Sequence, residues 1–289
     1  MVRLPLASAR FLRWPGWRRP AARLGLTSVA ALAVLGAVGT VGGYVVPALA
    51  AQGDGAKPRT ATGRAPTPGP SVGGVPGGGP VNLPSSSASA SATPGTAPTS
   101  GPGTLTAWAA GLTRLGISAT ALQAYGYAQV VTQQSTPGCN LSWTTLAGIG
   151  KIESNHGTHG NSALDASGEA KPAIYGPALD GTNDNKTIRD TDGGRLDQDT
   201  TYDRAVGPMQ FLPGTWLRWG TDADGDNRAD PQDINDAALS AARYLCADGH
   251  DLATGAGWWQ AIHSYNNLDK YASDVYSAAD AYGYASKGS

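Results

Sequence analysis

The sequence predicts a mostly α-helical domain with a small loop or β lobe, preceded by an apolar N-terminal helix and a disordered linker. Three observations carry that reading. Apolar residues recur at helical spacing behind capping residues several times after residue 105. The stretch 156–205 breaks that rhythm with nine Gly or Pro and many Asp and Thr. Gly (40) and Pro (20) also make up about a fifth of the 289 residues, so part of the chain cannot be compact.

Residues 1–23 carry six Arg and no acid, and no further charge appears until Asp54. Leu24–Ala51 is mostly Ala, Val, Leu and Gly. As a helix it would run about 42 Å, more than the ~30 Å of a hydrocarbon core. The Arg-rich start holds the N-terminus in the cytoplasm and predicts export of the rest. Ala48-Leu49-Ala50 before Ala51 suits signal-peptidase cleavage, whereas the length of the apolar run suits a retained anchor. Residues 1–51 are therefore either a signal peptide or a single transmembrane anchor, and in the second case the membrane is a partner. Residues 52–104 form the linker. From 55 to 104, 42 of 50 residues are Gly, Pro, Ser, Thr or Ala, too little apolar surface to offset chain entropy. Stretched as polyproline it reaches about 150 Å. Such a tether fits an extracellular or cell-wall location.

The net charge of -1 hides a segregation. From Thr104 onward, 12 Lys and Arg stand against 21 Asp and Glu, which disfavours a nucleic-acid partner. The folded unit is 105–289, expected to be a monomer, and holds six of the eight Trp and ten of the eleven Tyr. Ser118 can cap a helix to about Gln134, with Ala119, Leu122, Tyr125 and Val130 on its face. Ser142 can cap a second, where Leu146, Ile149 and Ile152 align. Asp230-Pro231 suits a third helix start, continuing to a Gly249 stop. Two more helices are expected at about Trp258–Tyr265 and Leu268–Tyr284, and a short hairpin within 156–205. Cys139 and Cys246, an even pair in an exported segment, predict one disulfide, with two buried free thiols as the alternative.

Glu occurs only twice. Glu153 follows the stripe Leu146–Ile149–Ile152 at the end of its helix. The negative end of the helix and apolar neighbours both raise a carboxyl pKa there, as a general acid requires. A surface Glu at a fraying end is the plainer alternative. Glu169, in a polar loop, is read as solvated. Val206–Trp216 mixes apolar residues, a lone Gln and four chain-breakers, which suits either a groove wall or a core turn. Ser264-Tyr265-Asn266-Asn267 offers a phenol and two amides, for ligand binding or for capping.

The string from Asp222 to Asp233 has the EF-hand pattern for calcium, with a solvated acidic turn as the alternative. Asp222, Asp224 and Asp226 stand at its first, third and fifth positions, the Arg228 carbonyl at the seventh and Asp233 at the twelfth. Asn227 replaces the usual Gly and tolerates the left-handed turn.

In this order the motifs resemble the lytic murein transglycosylases of the membrane-bound type-B class, over about 140–284. The matching residues are Glu153-Ser154-Asn155-His156-Gly157, then Met209-Gln210-Phe211-Leu212-Pro213, the calcium-type loop, and Tyr265-Asn266. The resemblance implies a lysozyme-like α+β fold and peptidoglycan glycan strands as substrate. It implies cleavage of the MurNAc-β-1,4-GlcNAc bond with 1,6-anhydro-MurNAc formation and Glu153 as general acid and base. Ser154, Met209, Gln210, Phe211, Tyr265 and Asn266 would bind substrate or position Glu153. A hydrolytic muramidase of the same fold and a non-catalytic, calcium-stabilised wall-binding module are the alternatives.

Overall fold

The computed structural model describes residues 64–69, 101–182 and 185–287. The N-terminal helix expected in 1–51 and most of the expected linker lie outside the described residues. Among the described residues, no helix is long and apolar enough to cross a membrane. Seven α-helices, three short 3-10 helices and one two-stranded sheet make up the regular structure described: a mostly helical domain with a small loop-rich lobe.

A short helix α1 (Thr106–Ala110) precedes α2 (Ala119–Ser135), whose start is capped by the Ser118 hydroxyl accepting the Ala121 N–H. Residues 121–132 of α2 are all buried except Gln123, outside that span of faces only in being half-exposed, so α2 is the central rod of the core. Ser142 caps α3 (Trp143–Ser154), and Asn155 ends it in a left-handed conformation. α4 (Pro213–Trp219) follows the lobe, then α5 (Ile234–Leu245), α6 (Gly255–Tyr265) and α7 (Asp269–Ser286).

Both boundaries of the third predicted helix differ from expectation, and α6 starts at Gly255, ahead of the expected Trp258. The third predicted helix starts at Ile234, capped by Asp233, because Asp230 instead accepts the Gln232 N–H and holds Pro231 in a turn. It ends at Leu245, capped by Cys246, short of Gly249. The cysteines form a disulfide with 5.4 Å between Cα atoms, joining the chain before α3 to the end of α5.

The packing of α3 on α7 sets the position of the site. A Cβ on Gly148 would lie 2.8 Å from the Val275 carbonyl oxygen and 3.1 Å from the Ala279 Cβ, so the backbones meet where neither helix carries bulk. The helices run antiparallel, so the C-terminal end of α3 meets the N-terminal end of α7.

The lobe between α3 and α5 has one short hairpin, β1 (Ala163–Leu164) with β2 (Ala170–Lys171), antiparallel, with Ala163 opposite Lys171. The remainder is held by isolated bridges and turns around a small cluster of Leu179, Ala205 and Leu212. The buried Gln232 amide supplies what a strand would: it accepts the Ile174 N–H and donates to the Ile174 carbonyl.

Candidate active site

Glu153 lies in the last turn of α3 and is 5% exposed. The Tyr271 hydroxyl, from the first turn of α7, donates to its Oε1 at 2.6 Å. Burial pushes the Glu153 carboxyl well above its ordinary value, and the Tyr271 bond opposes this only in part. Tyr265 and Tyr271 are raised as well, by burial first and then by the Glu153 charge. The result is a carboxyl group that holds its proton at pH values where most carboxylates have lost theirs.

The chain leaves Glu153 through two successive left-handed residues, Asn155 (φ 51°) and His156 (φ 62°). The Asn155 and His156 N–H groups return to the Lys151 and Gly150 carbonyls and close the helix end. His156 is then clamped between two phenols, Tyr125 at 3.1 Å and Tyr282 at 2.8 Å. Burial, with the Lys151 charge, lowers its pKa to about 3, so the imidazole is neutral and joins α2, α3 and α7.

Ser154 connects this helix end to the next motif. Its hydroxyl donates to the Pro208 carbonyl at 2.6 Å and accepts the Gly157 N–H at 2.7 Å. Val206 and Phe211 exchange both backbone hydrogen bonds, closing a tight turn with Gly207 (φ 76°) and Gln210 (φ 49°) in left-handed conformations. A Cβ on Gly207 would sit 1.7 Å from the Pro231 carbonyl oxygen, so only glycine lets this turn press against the end of the acidic loop.

The side chains of Met209 and Phe211 are buried in the core, and the Gln210 amide donates to the Gly207 carbonyl at 3.0 Å. As a turn the segment contributes shape and backbone, with Met209 and Phe211 as its anchors. Tyr265, at the end of α6, donates to the Met209 carbonyl at 2.7 Å. Asn266 is fully buried as the cap of α6. Tyr265 thus holds the 206–211 turn, and the direct contact with Glu153 belongs to Tyr271, a residue the sequence reading did not single out. A signal for it existed: Tyr271, Val275 and Ala279 recur every four residues along one face of α7.

The acidic loop brings carboxylate oxygens of Asp222, Asp224 and Asp226 within 4.8 Å of one another. Gly225 (φ 84°) and Asn227 (φ 69°) make its left-handed turns. Asp222 accepts the Gly225 and Asn227 N–H groups, and Asp226 accepts the Arg228 N–H. Asp233 caps α5 through the Asn235 N–H, and burial together with the Asp224 charge raises its pKa to about 6. Asp236 was also missed by sequence. Its carboxylate accepts the Ala223 and Asp230 N–H groups and so ties both ends of the loop, and burial raises it to about 8. Glu169, read as solvated, pairs with Lys171 at 2.8 Å on the surface.

Residues 186–273 match the family model described as Transglycosylase SLT domain. Two solved structures are similar to the chain, both of the Escherichia coli lytic transglycosylase Slt35, one in complex with bulgecin A and one with calcium. Each is 14% identical and covers 63% of this chain, with TM-scores of 0.35 and 0.38 and 79% and 80% of the Slt35 chain covered. No curated protein matches the chain. The matched segment takes in the 206–211 turn, the acidic loop, Tyr265 and Tyr271, while Glu153 precedes it; over 186–273 the chain is thus similar to a transglycosylase SLT domain.

Proposed function

We propose that the protein is a peptidoglycan lytic transglycosylase of the membrane-bound type-B class with a lysozyme-like domain, and that Glu153 carries the reaction. The observation that supports this most is the buried, raised carboxyl at the end of α3 with one phenol donor. A protonated Glu153 donates its proton to the glycosidic oxygen between MurNAc and GlcNAc as the C–O bond breaks. The resulting carboxylate takes the proton from the muramic acid 6-hydroxyl, whose oxygen closes onto the anomeric carbon. The products are a 1,6-anhydro sugar end and a free GlcNAc hydroxyl, with no water consumed. Tyr271 steadies the ionised stage by donating to Oε1, and Ser154 and Tyr265 hold the 206–211 turn against the helix end. That turn would offer its backbone to the sugar groove, with the buried Gln210 amide fixing its shape through the Gly207 carbonyl.

The clustered Asp222, Asp224 and Asp226 would be the first ligands of a calcium ion, with the Arg228 carbonyl and Asp233, which lies outside that cluster and caps α5, completing the EF-hand pattern. The three clustered carboxylates face only one cation nearby in sequence, Arg228, and its guanidinium is engaged by Asp230 at 2.9 Å. A bound ion would balance this charge and stiffen the loop; Gly207 against Pro231 passes that stiffness to the turn beside Glu153. Export through 1–51 would place the domain, as a monomer, in the cell wall, secreted or anchored.

The test is a digest of purified peptidoglycan by the exported chain, with mass spectrometry of the released muropeptides. Products one water lighter than hydrolysis products, absent with Glu153→Gln, are expected. Reducing-end products would make the protein a muramidase. No release with calcium present would leave a wall-binding module.

A further inference from the structure

At the other end of the α3–α7 pair, residues 64–69 (Arg-Ala-Pro-Thr-Pro-Gly) lie against the domain without helix or strand of their own. The Thr67 N–H donates to the Asp280 carboxylate at 2.7 Å, and the Thr144 hydroxyl reaches the Thr67 carbonyl at 3.5 Å. Thr67 is 6% exposed. The Arg64 guanidinium lies 3.4 Å from the same Asp280 carboxylate and donates to the Thr67 hydroxyl at 3.1 Å. Gly283 on α7 forms the notch: a Cβ there would stand 1.8 Å from the Thr67 carbonyl oxygen. Gly69 rests on the buried Trp143 ring, where a Cβ would come within 2.4 Å of Nε1.

The segment suits the notch chemically. Pro66 and Pro68 have no N–H, so burying Thr67 between them leaves one backbone donor to satisfy, and Asp280 satisfies it. The prolines also stiffen the segment before it docks, which lowers the entropy lost on binding.

We propose that this notch is a docking site for the chain's own linker, holding Arg64–Gly69 at the end of α3 and α7 opposite Glu153. The separation is about 14 Å along α3 from Thr144 to Glu153, at ~1.5 Å per residue. Docking shortens the tether. Between residue 51 and the docked segment stand only residues 52–63, which span at most about 40 Å. The undivided linker would reach about 150 Å. The domain is thereby kept close to whatever holds residues 1–51.

Trypsin tests this on the full chain, because the linker offers it two bonds, Arg59–Thr60 outside the docked segment and Arg64–Ala65 at its start. Rates are normalised to those in a synthetic peptide spanning 55–70. The expected result is cleavage at Arg64–Ala65 slowed about ten-fold or more relative to Arg59–Thr60, as docking protects the bond. Gly283→Ala places a methyl where the Thr67 carbonyl sits while favouring the α7 helix, so it should release the segment and bring the two normalised rates together. Asp280→Ala, which removes the Thr67 acceptor, should do the same, and a thermal melt of each variant verifies that the domain is folded. Equal normalised rates in the wild-type chain, or protection undiminished in folded variants, would overturn the proposal.

Discussion

Two regions of this molecule handle carboxyl groups in opposite ways. In the loop-rich lobe, aspartates collect donors. Asp165 takes the Lys171 ammonium and the Ser167, Gly168 and Glu169 N–H groups and is held well below the usual carboxylate range. Asp190 and Asp199 are held down in the same direction by backbone N–H groups, Asp192 and Thr201 leading. At the end of α3, Glu153 is buried with one phenol donor, and its pKa moves up. The exposed aspartates of the lobe shape turns that have no hairpin ladder to hold them, and their donors win; for Glu153, as for the buried Asp203 and Asp236, burial outweighs the donors.

The largest expected effect comes from removing the Glu153 carboxyl. Glu153→Gln should lower release of anhydro-muropeptides by about 10²–10⁴-fold, the scale of a lost general acid. It should also change stability with a defined sign. A carboxyl whose folded pKa is raised stabilises fully below its unfolded pKa of about 4.3 and loses that contribution as pH rises through the folded value. The melting temperature of Glu153→Gln should therefore gain on that of the wild type as pH rises above about 4.3; a constant difference would mean that Glu153 is not raised.

Next in size is the covalent link between the helix that carries Glu153 and the helix that follows the acidic loop. Replacing Cys139 and Cys246 by Ser should cost about 4–5 kcal/mol at most on the chain-entropy model, read by urea unfolding. Chelation sharpens the contrast from the lobe side. If Asp222, Asp224 and Asp226 hold calcium, adding it at about 100 times its Kd should stabilise the chain by about 2.7 kcal/mol over chelator. Asp224→Asn should reduce that difference in a thermal melt. The smallest effect is Tyr271→Phe. Removing the one donor should raise the Glu153 pKa further, so the alkaline fall of kcat/KM moves to higher pH, with about 1–2 kcal/mol lost in stability.

Much of this was legible in advance where the cause is local. Ser118 and Ser142 cap their helices because a hydroxyl beside an apolar periodic run has one obvious use. Glu153 at a helix end follows from the same periodicity. The short helices α1 and α4 were not expected; α4 begins at Pro213 within a string that reads as chain-breakers, and proline is at home in a first turn. The Asp230-Pro231 start was displaced because Asp230 and Asp236 are both occupied in closing the acidic loop.

By itself the sequence located five of the seven described α-helices, singled out Glu153 as the candidate acid, favoured a bond between its only two cysteines and carried an EF-hand-like pattern of oxygens from Asp222 to Asp233, since each depends on residues near in sequence or few in number. Only the tertiary structure decided that Tyr271 and not Tyr265 meets Glu153, that His156 is a neutral bridge between two phenols, and that Thr67 fills a notch at Gly283. Those contacts depend on how closely α3 and α7 approach. That distance is set by Gly148 meeting Ala279 across 131 positions of chain, a coincidence no local pattern contains.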